Sequence, residues 1–279
     1  MTFPSLGKIA VVGSGAVGGY YGGMLAHLGC DVHFLLRSDL DAVRVRGLTI
    51  HTRGETVHLP HVACAASAEE IGECDLVIIA LKATANAALE SIIPPLLGEK
   101  TALLTLQNGL GNEEFLAQRW GAERVMGALC FVCINRTEPG VIAHLDHGSL
   151  SVGEYRRTAQ ARTHAVVGAF SAAGIEAKAV DELVAERWRK LLWNIPFNGL
   201  AIAAGGATVA DVLADDGLRH LARSLMDETL DAARRLGHEI PDDFADFQIE
   251  RSTSMGASGP VSRQRATSAT WGKRVDGGV

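Results

Sequence analysis

The sequence predicts two domains of different class: an α/β domain with a parallel sheet over residues 1–180 and an all-helical domain over residues 181–258, followed by an atypical tail at 259–279. Three observations predict this. Short apolar, β-branched runs alternate with helical stretches through the first half. The first run leads straight into a glycine pattern that opens a helix. After Val180 the apolar residues recur at helical spacing. A length of 279 residues accommodates two domains of ordinary size, and a hydrophobic fraction of 47% is enough to fill their cores. With 26 Lys+Arg against 32 Asp+Glu the formal charge is −6, which argues against a nucleic-acid binder that works through overall basicity.

Lys8–Gly13 (KIAVVG) has the makeup of a buried parallel strand. It runs into Gly13, Ser14, Gly15, Ala16, Val17 and Gly18, a GxGxxG, and then a helical stretch Gly19–Leu28 closed by Gly29. A second strand, Asp31–Leu36, follows. Strand, glycine turn, helix and strand within about 30 residues make this a Rossmann-type dinucleotide-binding unit. Gly13 permits the tight turn, Gly15 lets backbone approach a pyrophosphate, and Gly18 lets helix and strand pack closely. The free N–H groups at the helix start suit phosphate.

After the second strand a binder of NAD carries Asp or Glu for the ribose 2′-hydroxyl. This chain has Arg37 and Ser38 there, 19 residues beyond Gly18. A guanidinium grips a 2′-phosphate, so NADP(H) is the cofactor favoured; Arg37 as a solvated surface charge is the competing reading. Asp39 and Asp41 are read as caps for the next helix. The alternation continues with a strand at Asp75–Leu81, Lys82, a helix at Thr84–Ile93, a stop at Pro94-Pro95, and a strand at Thr101–Leu106. Gln107–Glu113 is then a polar, glycine-rich loop. Lys82 and Asn108 each stand just after a strand, where an open parallel sheet binds ligands. Lys82 reads equally as a solvated helix start and Asn108 as a turn. Val125–Ile134, Val141–Ala143 and Ser149–Val152 read as later strands.

In the second half, Asp181 is placed to cap a helix with Leu183, Val184, Trp188, Leu191 and Leu192 on one apolar stripe. Pro196 should kink or end it, leaving Asn198 to a turn. A long helix is read from about Asp211 to Leu236, ended by Gly237. Lys190, Asn194 and Asn198 recur every four residues and so share a face, which on spacing alone is equally a solvated face.

The five cysteines are an odd number and no disulfide framework. Cys130 and Cys133 form a CxxC inside a strand, where residues three apart point to opposite sides, so a metal or local disulfide does not suit them. No run reaches the ~18 apolar residues of a membrane span. The N-terminus has no basic start before its short apolar core, so the chain reads as cytoplasmic.

These residues together resemble the ketopantoate reductase (2-dehydropantoate 2-reductase) family. The resemblance runs from about Lys8 to Met255 and rests on GSGAVGG at 13–19, Arg37, Lys82 in LKA and QNGLGNEE at 107–114. It is carried further by GVIAHLDHGSLSVGE at 140–154, WRKLLWNIPFNGL at 188–200 and TSM at 253–255. It implies a Rossmann domain followed by an all-helical domain similar to the C-terminal domain of 6-phosphogluconate dehydrogenase. It also implies NADPH-dependent reduction of a 2-oxo acid, chiefly 2-dehydropantoate to pantoate in pantothenate and coenzyme A biosynthesis. Lys190 matches the family's catalytic lysine, Asn194 and Asn198 its substrate-binding asparagines, and Ser254 a serine at the substrate carboxylate. Asn108 matches a residue at the nicotinamide, and Lys82 one on the cofactor side. The partner implied is a small 2-oxo acid, with no nucleic acid, membrane or metal, and with a homodimer allowed. Two other readings stand beside it: a reductase of a different 2-oxo acid, and an impaired NADPH-binding protein.

The tail motivates the last. From Gly256 to Val279 there is no Leu, Ile, Phe or Met, and no Asp or Glu lies between Glu250 and Asp276. The family carries an acidic residue about a dozen positions after the TSM-like motif, where this chain has Ala266. A shifted reading frame, with loss of the family's C-terminus, is the expectation; a disordered tail is the alternative.

Overall fold

The computed structural model describes residues 6–254, which excludes the tail features named above. The chain divides into two compact units between Leu183 and Val184.

The first unit opens with β1 (Lys8–Val12), α1 (Ala16–His27), β2 (Asp31–Leu35), α2 (Leu40–Arg46), β3 (Leu48–His51), β4 (Thr56–Leu59), β5 (Ala63–Ala65) and α3 (Ala68–Ile71). It continues with β6 (Cys74–Ile79), a 3-10 turn at Ala83–Ala88, α4 (Leu89–Ile92), β7 (Leu97–Thr105) and α5 (Asn112–Trp120). β8 (Val125–Glu138), β9 (Val141–Glu154), α6 (Ala161–Ala172) and β10 (Ala177–Val180) complete it. All ten strands form one sheet in the order β4-β3-β9-β8-β7-β6-β1-β2-β5, with β10 also on β9. From β8 to β5 every pairing is parallel, and the chain reverses its direction of travel across the sheet at β1, which lies between β2 and β6.

Alternation along the central strands sorts their side chains into two cores. Ile9, Val11, Leu76, Ile78 and Leu104 face a layer that includes Tyr21 of α1 and Phe170 of α6. Ala10, Val12, Val77, Ile79 and Leu103 face Ile71, Leu89 and Leu116. A strand buried on both sides needs apolar residues at every position, which is why these runs are legible.

Several expectations need correction. The two short strands read at Val141–Ala143 and Ser149–Val152 are one, because β9 passes through the gap on bulges, with His147 at φ 60 and Gly148 at φ 123. β8 runs on past Ile134, since β9 pairs with it as far as Glu138. The helix read at Thr84–Ile93 is a 3-10 turn as far as Ala88 and an α-helix only over Leu89–Ile92. Asp39 stands at the N-cap of α2 but makes no capping hydrogen bond; a stronger partner, Arg136, takes its carboxylate at 2.6 Å.

At the far end of β9 a buried carboxylate joins three elements. Glu154 accepts from Arg162 (2.9 and 2.5 Å), Arg157 (3.2 Å) and Thr163 Oγ1 (2.7 Å). Both guanidiniums also donate to the Glu123 carbonyl, each at 2.7 Å.

The second unit is helical: α7 (Leu183–Ala203, beginning one residue before the division), α8 (Val209–Ala214), α9 (Asp216–Arg235) and α10 (Phe244–Ser254). α7 continues through Pro196, contrary to expectation, and Asn198 is therefore helical. The turns flanking the proline are anchored by Leu192, Phe197 and Leu200 in a core with Val212, Met226 and Ile249, so packing outweighs the missing N–H. The single long helix expected from Asp211 is two. Thr208 and Asp211 form a capping box on α8, and Asp215, in extended conformation, accepts from Leu218 N at 2.9 Å to start α9. Among the described residues no helix is long and apolar enough to cross a membrane.

Burial on its own pushes the Glu154 carboxyl up, but the hydrogen bonds from Arg162 and Thr163 and the charges of Arg162 and Arg157 carry it below the ordinary glutamate range. A carboxylate lowered in the fold stabilises above its unfolded value and loses that contribution as pH falls through the folded one. Glu154→Ala should cost about 1–3 kcal/mol in urea unfolding near neutrality, because it leaves the buried Thr163 hydroxyl without its acceptor and takes the shared anion from two part-exposed guanidiniums. The smaller gap between Glu154→Gln and wild type should be constant above about pH 6 and shrink as pH falls below the ordinary glutamate value. A gap that stays constant as the pH is lowered until the protein unfolds would contradict the assignment.

Candidate nucleotide and substrate site

Register sets the site. Val12 lies opposite Leu35 and Ile79, Ile79 opposite Thr105, and Thr105 opposite Gly127. The carboxyl ends of β1, β2, β6 and β7 therefore finish level, and Gly13–Gly18, Arg37, Lys82 and Asn108 all lie on that one edge.

The glycine turn is shaped by what lies behind it. Gly13 has φ +95, and a Cβ there would stand 2.5 Å from Leu81 N and 2.7 Å from the Ala80 carbonyl carbon. A Cβ on Gly18 would stand 2.4 Å from Gly13 O. Gly15 is the opposite case: it is exposed, and a Cβ would meet nothing within 4 Å. Ser14 Oγ reaches the carbonyls of Val11 and Leu35, both at 3.3 Å, and so links the ends of β1 and β2. Ala16 and Val17 begin α1, whose first turn holds no acidic residue. The open side of the turn thus offers backbone N–H groups and a positive helix end without an internal anion.

Arg37 and Ser38 are exposed at the end of β2. The Ser38 hydroxyl donates to Asp39 Oδ1 at 2.8 Å. Lys82 is exposed at the start of the 3-10 turn, and Asn108 is exposed in the loop after β7. Beneath them runs a polar chain that motif reading did not single out. Buried Gln107 donates to Leu81 O (3.0 Å) and Asn86 Oδ1 (2.7 Å) and accepts from Thr105 Oγ1 (3.0 Å). Asn86 donates to Asn112 Oδ1 at 3.0 Å, and Asn112 to Asn108 O at 3.1 Å. The loops carrying Lys82 and Asn108 are held to each other by amides. Gln107 and Asn112 lie inside the quoted QNGLGNEE, whereas Asn86 has no local signal.

In the second unit, Lys190 and Asn194 are half-buried and Asn198 is exposed, all on α7 at four-residue spacing. Trp193 Nε1 donates to Ser252 Oγ at 2.9 Å, and Ser252 in turn donates to Gln248 O. This ties the last turn of α10, which ends at Ser254, to α7 beside Asn194. The Ser254 side chain lies outside the described residues. Among the described residues no group of His, Cys, Asp and Glu is arranged for a metal ion.

The family model described as ketopantoate reductase PanE/ApbA matches residues 9–157, and its C-terminal counterpart matches residues 182–266. The chain belongs to the ketopantoate reductase family. The C-terminal match passes Met255, where the resemblance read from motifs ends. A 2-dehydropantoate 2-reductase of Nostoc sp. is 37% identical over 253 residues, covering 89% of this chain and 79% of that protein. One of Mesorhizobium japonicum is 33% identical, covering 84% and 78%. The crystal structure of a 2-dehydropantoate 2-reductase from Geobacter metallireducens superposes with a TM-score of 0.86 at 43% identity, covering 89% of this chain and 83% of that one. At 21% identity, a D-mandelate dehydrogenase shares the fold with a TM-score of 0.78.

The geometry separates two glycines of this family's first turn. Gly13→Ala should cost about 2–4 kcal/mol in chemical unfolding, from left-handed strain and backbone overlap. Gly15→Ala should stay within about 1 kcal/mol of wild type. Equal losses would contradict the geometry described.

Proposed function

We propose that the chain reduces 2-dehydropantoate to pantoate with NADPH. The observation that carries this reading is the run of matches through both units to proteins named for that reaction, on a chain whose sheet edge is cut for a dinucleotide. The cofactor fits the residues present. Gly15 leaves backbone open to a pyrophosphate, Ser14, Ala16 and Val17 frame the turn, and Gly13 and Gly18 close it from behind. Arg37 supplies a guanidinium for the 2′-phosphate, and Lys82 and Asn108 reach the rest of the dinucleotide from the two neighbouring loops.

When bound, NADPH supplies the hydride that reduces the 2-oxo carbon. Lys190 supports the negative charge that develops on the attached oxygen and delivers the proton that makes it a hydroxyl. Asn194 and Asn198 hold the substrate's hydroxyl and carboxylate, and Ser254 assists at the carboxylate, a positioning effect. Five free cysteines support a reducing compartment, which we take to be the cytoplasm.

Lys190→Ala should lower kcat by roughly a thousandfold or more while NADPH still binds, measured as NADPH consumption with ketopantoate beside a panel of 2-oxo acids. Near-normal turnover would overturn the role, and a better substrate in the panel would reassign the substrate. Arg37→Asp should weaken NADPH far more than NADH in direct titrations; equal weakening would count against the 2′-phosphate contact.

A further inference from the structure

A carboxylate stands two residues beyond Arg37. Asp39 is only 4% exposed. An acidic group just past the second strand of this fold favours a ribose hydroxyl and repels a phosphate. Here both of its oxygens are engaged. Oδ1 accepts from Arg136 Nη1 at 2.6 Å and from Ser38 Oγ at 2.8 Å, and Oδ2 accepts from Gly140 N at 3.3 Å. Arg136 lies near the end of β8, and Gly140 in the turn between β8 and β9. The same turn docks along α2: Arg46 donates to Pro139 O at 3.3 Å, and a Cβ on Gly140 would stand 3.0 Å from Gly47 O. Asp39 and Gly140 line one crevice with Ser14 and Leu36, next to the glycine turn.

We propose that Arg136 sets the cofactor preference by neutralising Asp39 and turning its carboxylate away from the place of the 2′-phosphate. It is a positioning residue that acts through Asp39, and the proposal rests on the NADPH reading above. With the pair neutral, Arg37 decides the local field. Without the guanidinium, a full negative charge would face an incoming dianion while an NADH hydroxyl would be unharmed. One unit of charge acting on a dianion across about 8 Å of largely aqueous surroundings changes affinity by about tenfold.

The test is equilibrium titration of NADPH and NADH into the full chain, with thermal melting as a folding check. Arg136→Met should weaken NADPH about tenfold and leave NADH within twofold. Arg136→Lys should restore the preference, and so should Asp39→Asn combined with Arg136→Met, because each makes the pair neutral again. Arg136→Met strands a buried carboxylate and could unfold the unit; Asp39→Asn alone then decides, with NADPH several-fold tighter and NADH unchanged. A wild-type chain without preference for NADPH would overturn the cofactor reading and this one with it. A wild-type chain that prefers NADPH, with single variants that keep its preference within twofold, would overturn the role of Arg136 alone, and so would parallel weakening of both nucleotides.

Discussion

Gly13 lies against the backbone of Ala80 and Leu81 with no room for a side chain, and the carboxyl edge of the sheet is arranged round that contact. Because the turn is so close, β1 ends level with β6, and parallel pairing passes the same level to β2 and β7. Four loops that are far apart in sequence then emerge side by side. An absent methyl group at Gly13 is thus a condition for that alignment. The amides of Gln107, Asn86 and Asn112 act only after that alignment, locking two of the loops at a height already set.

How much of this was legible follows from burial. β1, β6 and the second half of β7 are apolar on both faces, and β2 carries Val32 and Phe34 in alternation with Leu36 just beyond its end, so each announces itself without knowledge of its neighbours. β3, β4, β5 and β10 are three or four residues long, with polar members such as Thr49, His51, Thr56 and His58. Pairing makes them strands, and pairing is invisible in a local window. β9 reads locally as two strands because the bulge at His147 and Gly148 has the sequence of a strand end. The glycine turn, Arg37, Lys82, Asn108 and the α7 polar row could be picked out from spacing and motif. Asn86 and Arg136 could not, because what each holds lies 21 and 97 residues away.

Helix boundaries in the second unit show the same competition between local and tertiary terms. Pro196 is a local stop signal, yet buried residues on either side hold the helix through it. Asp215 is a weak local signal amid good helix formers, yet its side chain caps a new helix and splits one predicted element in two. The Lys190, Asn194 and Asn198 row survives intact because the proline did not interrupt the spacing of four. Had the helix ended there, Asn198 would have been released from that face.

The docking of the Pro139–Gly140 turn on α2 has a consequence for the order in which the protein is made. Asp39 is translated early, but its partner Arg136 follows 97 residues later. A nascent chain long enough to contain β1, α1 and β2 has Arg37 and Asp39 but neither the Ala80–Leu81 backbone behind Gly13 nor Arg136. Synthesis at ~5–20 residues per second separates the two by seconds. During that interval Asp39 lacks both the guanidinium and the Gly140 amide that engage its two oxygens in the finished fold. The loop after β2 is therefore closed by a hairpin made after β1, β2, β6 and β7, so its final set of contacts is among the last in the sheet to form.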